Sequence, residues 1–133
     1  MKNQLLFLIL AGPGFLIADL SAQDALARDS IFIIVEEMPE PINGRPTLYK
    51  WLAKSIYIDK ELQKQWIESR FIFTFVVEKD GQMSQIKVQN ASGEDLTQLI
   101  WRPSTQAPQW KPGQHQGMAC RVQLRIPLRI HLN

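Results

Sequence analysis

Few side chains in this sequence carry reactive or ligating chemistry, and they are scattered. Cys120 is the single cysteine, and His115 and His131 are the two histidines. A thiol nucleophile needs a base beside it, and zinc needs a cluster of His, Cys or carboxylate ligands at short spacing. These three residues are spread through a loop and a strand without that spacing. Cys120 alternates with apolar neighbours, which reads as a small buried side chain. Glu36, Glu37 and Glu40 form an acidic patch that reads as a solvated face, while Asp80 and Asp95 fit a turn and a helix start. The chain is therefore read as a non-enzyme, with no catalytic, cofactor or metal residue assigned. The one patterned set is Arg121, Arg125 and Arg129, recurring every fourth residue. On a strand that spacing keeps all three on one side, successive members about 13 Å apart. Such a row solubilises an edge and discourages indiscriminate pairing, or it favours an acidic or polar partner segment.

The row needs a strand to carry it, and the end of the chain supplies one. Cys120, Val122, Leu124, Ile126, Leu128, Ile130 and Leu132 alternate with Arg121, Gln123, Arg125, Pro127, Arg129 and His131. This predicts a long final strand from Met118 to Leu132, half apolar and half basic. Pro127 cannot donate to a ladder, so it belongs at a sheet edge. The residues expected to receive a partner are Arg121, Val122, Gln123, Leu124, Arg125 and Ile126.

That strand must pair with another, and the strongest signal lies at Arg70–Val88. Phe71, Phe73, Phe75 and Val77 recur at period two. Asp80-Gly81 supplies the positive φ of a tight turn. The return run changes parity between Met83 and Ile86, which predicts a β-bulge. A two-stranded ribbon is marginal alone, so the phenylalanine face has to be covered by helices. One runs from Leu48, capped by Thr47, with Leu48, Trp51, Leu52 and Ile56 inward. A second, capped by Asp59, places Leu62, Trp66 and Ile67 inward. A third spans Glu94–Trp101, with Leu96, Leu99 and Ile100 inward, and Pro103 stops it. Ile31–Val35 is a candidate first strand. Trp110-Lys111-Pro112-Gly113 reads as a type II turn, and Gln114–Gly117 as a polar loop. Segregated helices and strands indicate an α+β fold, a small antiparallel sheet of the central hairpin plus the C-terminal strand with short helices on one face.

Length and composition fit one domain behind a leader. The chain has 133 residues, 45% hydrophobic and 21% charged, with a net charge of +2. That charge is too small to indicate nucleic acid, and one cysteine allows no internal disulfide. Met1-Lys2-Asn3 followed by the apolar run to Leu20 reads as a secretory signal peptide over residues 1–27, cut near Ala22 or after Ala25-Leu26-Ala27. The domain then occupies 28–133. Inner-membrane anchoring is the alternative if the leader stays uncleaved, though Gly12-Pro13-Gly14 interrupts a run already shorter than the ~20 residues of a span.

From Val35 onward the chain resembles the C-terminal domain of the energy transducer TonB, in the form common in Bacteroidetes-type bacteria. The resemblance rests on Val35-Glu36-Glu37-Met38-Pro39, Trp51-Leu52, Ser55-Ile56-Tyr57 and Glu68-Ser69-Arg70. It continues through Phe73–Val77, Asp80-Gly81, Pro108-x-Trp110-Lys111-Pro112-Gly113, Gly117 and Pro127. Ile58 stands where that family usually has Pro, Ser69 where it has Gly, and Pro103 where its second helix continues. The segment between Leu20 and Val35 is also too short and too poor in proline to serve as that family's periplasm-spanning linker. The resemblance implies a periplasmic module that adds an extended segment of a TonB-dependent outer-membrane receptor to its sheet as a strand. It would be linked in this way to transmembrane transport. A homodimer or another partner on the same edge strand is the second expectation.

Overall fold

The computed structural model describes residues 29–65 and 68–131. The chain divides into two units, Met1–Ser30 and Ile31–Asn133, and the fold below is that of the second. The leader expected over residues 1–27, the inward positions Trp66 and Ile67, and the strand end Leu132 lie outside the described residues.

The fold is α+β, and the phenylalanine stripe organises it. Strands β1 (Ile31–Phe32), β3 (Glu68–Val77), β4 (Met83–Asn90) and β7 (Met118–His131) form the main sheet in the order β1-β7-β3-β4. β6 (Gly113–His115) joins β7 as a hairpin partner. A second small pairing joins β2 (Glu40–Pro41) to β5 (Trp110–Lys111). β3 pairs antiparallel with β4 on one side and with β7 on the other. β1 runs parallel to β7, so the sheet is mixed rather than purely antiparallel.

Phe71, Phe73, Phe75 and Val77 are fully buried on one face, where Leu124, Ile126 and Leu128 of β7 join them. Helix α1 (Arg45–Lys54) covers this face with Leu48, Trp51 and Leu52. Its start differs from the Thr47 cap expected. Gly44 is the N-cap, with φ 89°, and Pro46 sits in the first turn, where a missing N–H costs nothing. The Trp51 indole N–H donates to the Thr105 carbonyl at 3.2 Å, tying the 102–109 loop to the helix. α2 (Lys60–Gln65) is capped as expected, the Leu62 N–H donating to Asp59 Oδ1 at 2.9 Å. α3 shortens to Thr97–Ile100. Asp95 accepts from both the N–H and the hydroxyl of Thr97, and Leu96 and Ile100 are buried. Leu99, expected inward, is 51% exposed, because a single turn presents only one buried stripe.

The hairpin forms with Gly81 at φ 85°, and a register shift opposite Thr74–Val76 places Gln85 at φ 50°. This is the expected bulge. The Trp110–Gly113 turn does not form. Trp110–Lys111 and Gly113–His115 are strands, and the reversal comes later, at Gln116 and Gly117, with φ 53° and 77°. Gly113 is there for close packing, since a Cβ would lie 2.8 Å from Val122 Cγ2 and 3.1 Å from Pro39 Cδ. The expected first strand Ile31–Val35 is paired only at Ile31 and Phe32. Val35 then leaves the ladder and buries against Cys120 and Val122.

Candidate functional site: the free edge of the last strand

The sheet has two outer edges, and they differ. β4 is blunted by its bulge at Gln85 and by the segment that follows it. Leu96 N–H donates to the Val88 carbonyl at 2.7 Å, Val88 N–H donates to Thr97 Oγ1 at 2.8 Å, and Asn90 N–H donates to the Glu94 carbonyl at 3.0 Å. Those contacts satisfy the outer backbone of its C-terminal half. The β7 edge away from β3 is taken by β1 only at Arg121 and Val122. From Gln123 to Ile130 no strand pairs with that edge among the described residues.

Backbone parity shows which groups face outward. Glu78 N–H donates to the Gln82 carbonyl, on the β4 side of the hairpin. Alternation along β3 then turns Val77, Phe75, Phe73 and Phe71 toward β7. Their partners Val122, Leu124, Ile126 and Leu128 face back. Gln123, Arg125, Pro127 and Arg129 therefore direct their main chain at the free edge. Pro127 sits opposite Ile72 in this outward set, so its missing N–H takes no bond from the β3 ladder. An added strand would meet N–H donors at Gln123 and Arg125 and a gap at Pro127.

Of the six residues expected to receive a partner, Gln123, Leu124, Arg125 and Ile126 lie on the free stretch. Arg121 and Val122 do not, because β1 pairs there. Arg121 is also engaged through its side chain. Its Nε donates to Glu78 Oε1 at 2.8 Å and its Nη2 to Oε2 at 3.2 Å. Glu78 also accepts from the Ser84 hydroxyl. The Arg121 bond holds the Glu78 carboxyl below its ordinary value, against the opposing push of partial burial.

A groove runs beside this edge. It has a volume of about 490 Å³ and is bounded by the Met38–Pro41 segment, the first turns of α1 and the stretch Leu124–Pro127. Met38, Leu48, Tyr49 and Trp110 give it an apolar wall, and Arg45 and Arg125 are the charged residues that line it among the described residues. The sequence showed no sign of it, because its walls come from four separate segments. Trp110, one of its lining residues, is buried, and its indole N–H has no acceptor among the described residues.

The residues first examined for chemistry stay apart. Cys120 is buried beside Val35 and Val122. His115 lies against the ring of Phe32, with Nδ1 4.0 Å from Glu36 Oε1. Among the described residues no three His, Cys, Asp or Glu side chains are placed to hold a metal ion. No helix among them is long and apolar enough to cross a membrane. The chain matches no protein-family model and no curated protein.

Proposed function

We propose that this protein is a binding module, similar to the C-terminal domain of TonB, that captures an extended segment of an outer-membrane receptor by strand addition. The observation that carries the reading is the outer edge of β7 from Gln123 to Leu128, which no strand among the described residues pairs with and which is regular except at Pro127 and flanked by an apolar groove. Strand addition draws affinity from main-chain hydrogen bonds and selectivity from side-chain pockets, and this edge offers both. The other outer edge is bulged and partly capped by Glu94–Thr97. The place of action is the periplasm, reached through the leader read at residues 1–27, and the process served is receptor-linked transport across the outer membrane. The test is to titrate the full chain with labelled N-terminal segments of TonB-dependent receptors and follow fluorescence anisotropy. Saturable binding that an unlabelled copy of the segment competes away supports the module. Absence of binding across a panel of such segments contradicts it. Cell fractionation tests the location: release with the periplasmic contents and a mature start near Gln23 or Arg28 is expected. Retention in carbonate-washed membranes with Met1 intact contradicts it.

A further inference from the structure

We infer that the segment received by β7 is anchored by two large apolar side chains two residues apart, which lie opposite Leu124 and Ile126 and enter the groove. This rests on strand addition at the β7 edge and adds the chemistry of the occupant. The groove and the free edge form one continuous site. Four consecutive residues of β7, Leu124, Arg125, Ile126 and Pro127, line the cavity. Successive residues of a strand point to opposite faces, so a cavity that touches all four reaches the rim of the strand as well as one face. Leu124 and Ile126 belong to the apolar face, where they pack against the core. Arg125 and Pro127 meet the cavity at the rim. A strand laid along that rim has the groove on one of its own faces.

The register then fixes the positions. Gln123 and Arg125 direct their main chain outward, so the residues opposite them carry the ladder bonds. In an antiparallel addition the residues opposite Leu124 and Ile126 are non-hydrogen-bonded pairs, where facing Cα atoms are about 4.5 Å apart and side chains are closest. Directly opposite residues share a face, so these two positions put their side chains into the groove. The residue between them, opposite Arg125, points to the other face. Pro127 offers no N–H, so the regular ladder ends after these two positions, and Leu128 does not line the groove. The wall sets the chemistry. Leu48 and Trp110 are buried beneath it, while Met38 is 41% exposed at a position where its unbranched side chain can adapt to an apolar neighbour. The volume of about 490 Å³ falls within the ~300–1,000 Å³ of sites that hold small ligands. Edge-to-edge pairing with a second copy of this chain does not supply the two anchors. Leu124 and Ile126 of that copy already pack against its own core, whereas an isolated extended segment has both faces free.

Two labelled, uncharged decapeptides of identical composition test this with the full chain. Both are polar except for two Leu residues, placed at i and i+2 in one and at i and i+1 in the other. The i, i+2 peptide is expected to bind about tenfold tighter or better, the gain from burying one further large apolar side chain. It is also expected to shift the indole N–H resonance of Trp110 and to lose most of its advantage against Met38→Gln. Met38 is partly exposed, so this variant is expected to fold, and its circular dichroism serves as the control. Equal affinity for the two peptides, with the Gln123 and Arg125 amides protected by both, overturns the two anchors and leaves strand addition standing. An i, i+2 preference that Met38→Gln leaves untouched, with the Trp110 resonance unmoved, overturns the groove as their site. Binding by neither peptide, with self-association detected by sedimentation, overturns the inference together with the strand addition it rests on.

Discussion

Arg121 and Glu78, 43 residues apart in sequence, meet side by side across β7 and β3, with Nε 2.8 Å from Oε1 and Nη2 3.2 Å from Oε2. The register that sets Val77 against Val122 places them one step beyond the last ladder pair. The first arginine of the row is thereby committed to closing the sheet beside the hairpin turn.

Stability is expected to depend on this pair in acid. Glu78 titrates below its ordinary value of 4.5 in the folded state, chiefly through its bond to Arg121. A group with a depressed folded pKa stabilises fully above its unfolded value, and that contribution fades as pH falls through the folded one. Glu78→Gln should therefore cost stability at pH 7, within the ~0.2–1 kcal/mol of a partly exposed pair. It should cost less and less as pH drops below about 4.5. Urea midpoints of both proteins at pH 7 and pH 3 check this. A gap between them that is the same at both values contradicts it.

Phe73 is fully buried, against the Trp101 ring at 6.0 Å between centroids. Phe73→Ala should destabilise by about 3–5 kcal/mol, the range for a buried aromatic reduced to alanine. Thermal unfolding reads this directly, and an unchanged melting temperature would remove Phe73 from the core.

Gly81 and Gly93 both have positive φ, 85° and 93°, but only Gly81 is crowded. A Cβ on Gly81 would lie 2.2 Å from the Trp110 carbonyl oxygen, whereas one on Gly93 meets nothing within 4 Å. Gly93→Ala should cost only the left-handed conformation, about 1–2 kcal/mol. Gly81→Ala should cost clearly more, because the hairpin tip must also move off β5. Denaturant unfolding of the two variants compares them, and equal losses would mean the contact with Trp110 is slack.

The local pairings of this fold were legible, and the distant ones were not. Phe71, Phe73 and Phe75 announce a one-sided strand by their period, and Asp80-Gly81 announces the hairpin by its backbone freedom. Asp59 is visible as a cap because its partner is three residues away. Pro112-Gly113 misled, since the dipeptide carries a turn signature while Gly113 serves a packing need set by Val122 and Pro39. Leu99 misled because helical periodicity does not fix how many turns form. At the site, alternation along β7 revealed the strand and its arginines. That β1 covers Arg121 and Val122, that Glu78 binds Arg121, and that a groove opens beside Leu124 all depend on tertiary register, which no local pattern encodes.

Strand addition at β7 is tested most directly by amide hydrogen exchange along the strand, with and without a saturating receptor segment. Val122, Leu124 and Ile126 face β3 and should be protected in both states. Gln123 and Arg125 face the free edge and should exchange fast alone and slowly in the complex. This one-in-two pattern of gained protection is what strand addition predicts. New protection confined to the helices or to Glu36–Glu40, with Gln123 and Arg125 still exchanging fast, would contradict it.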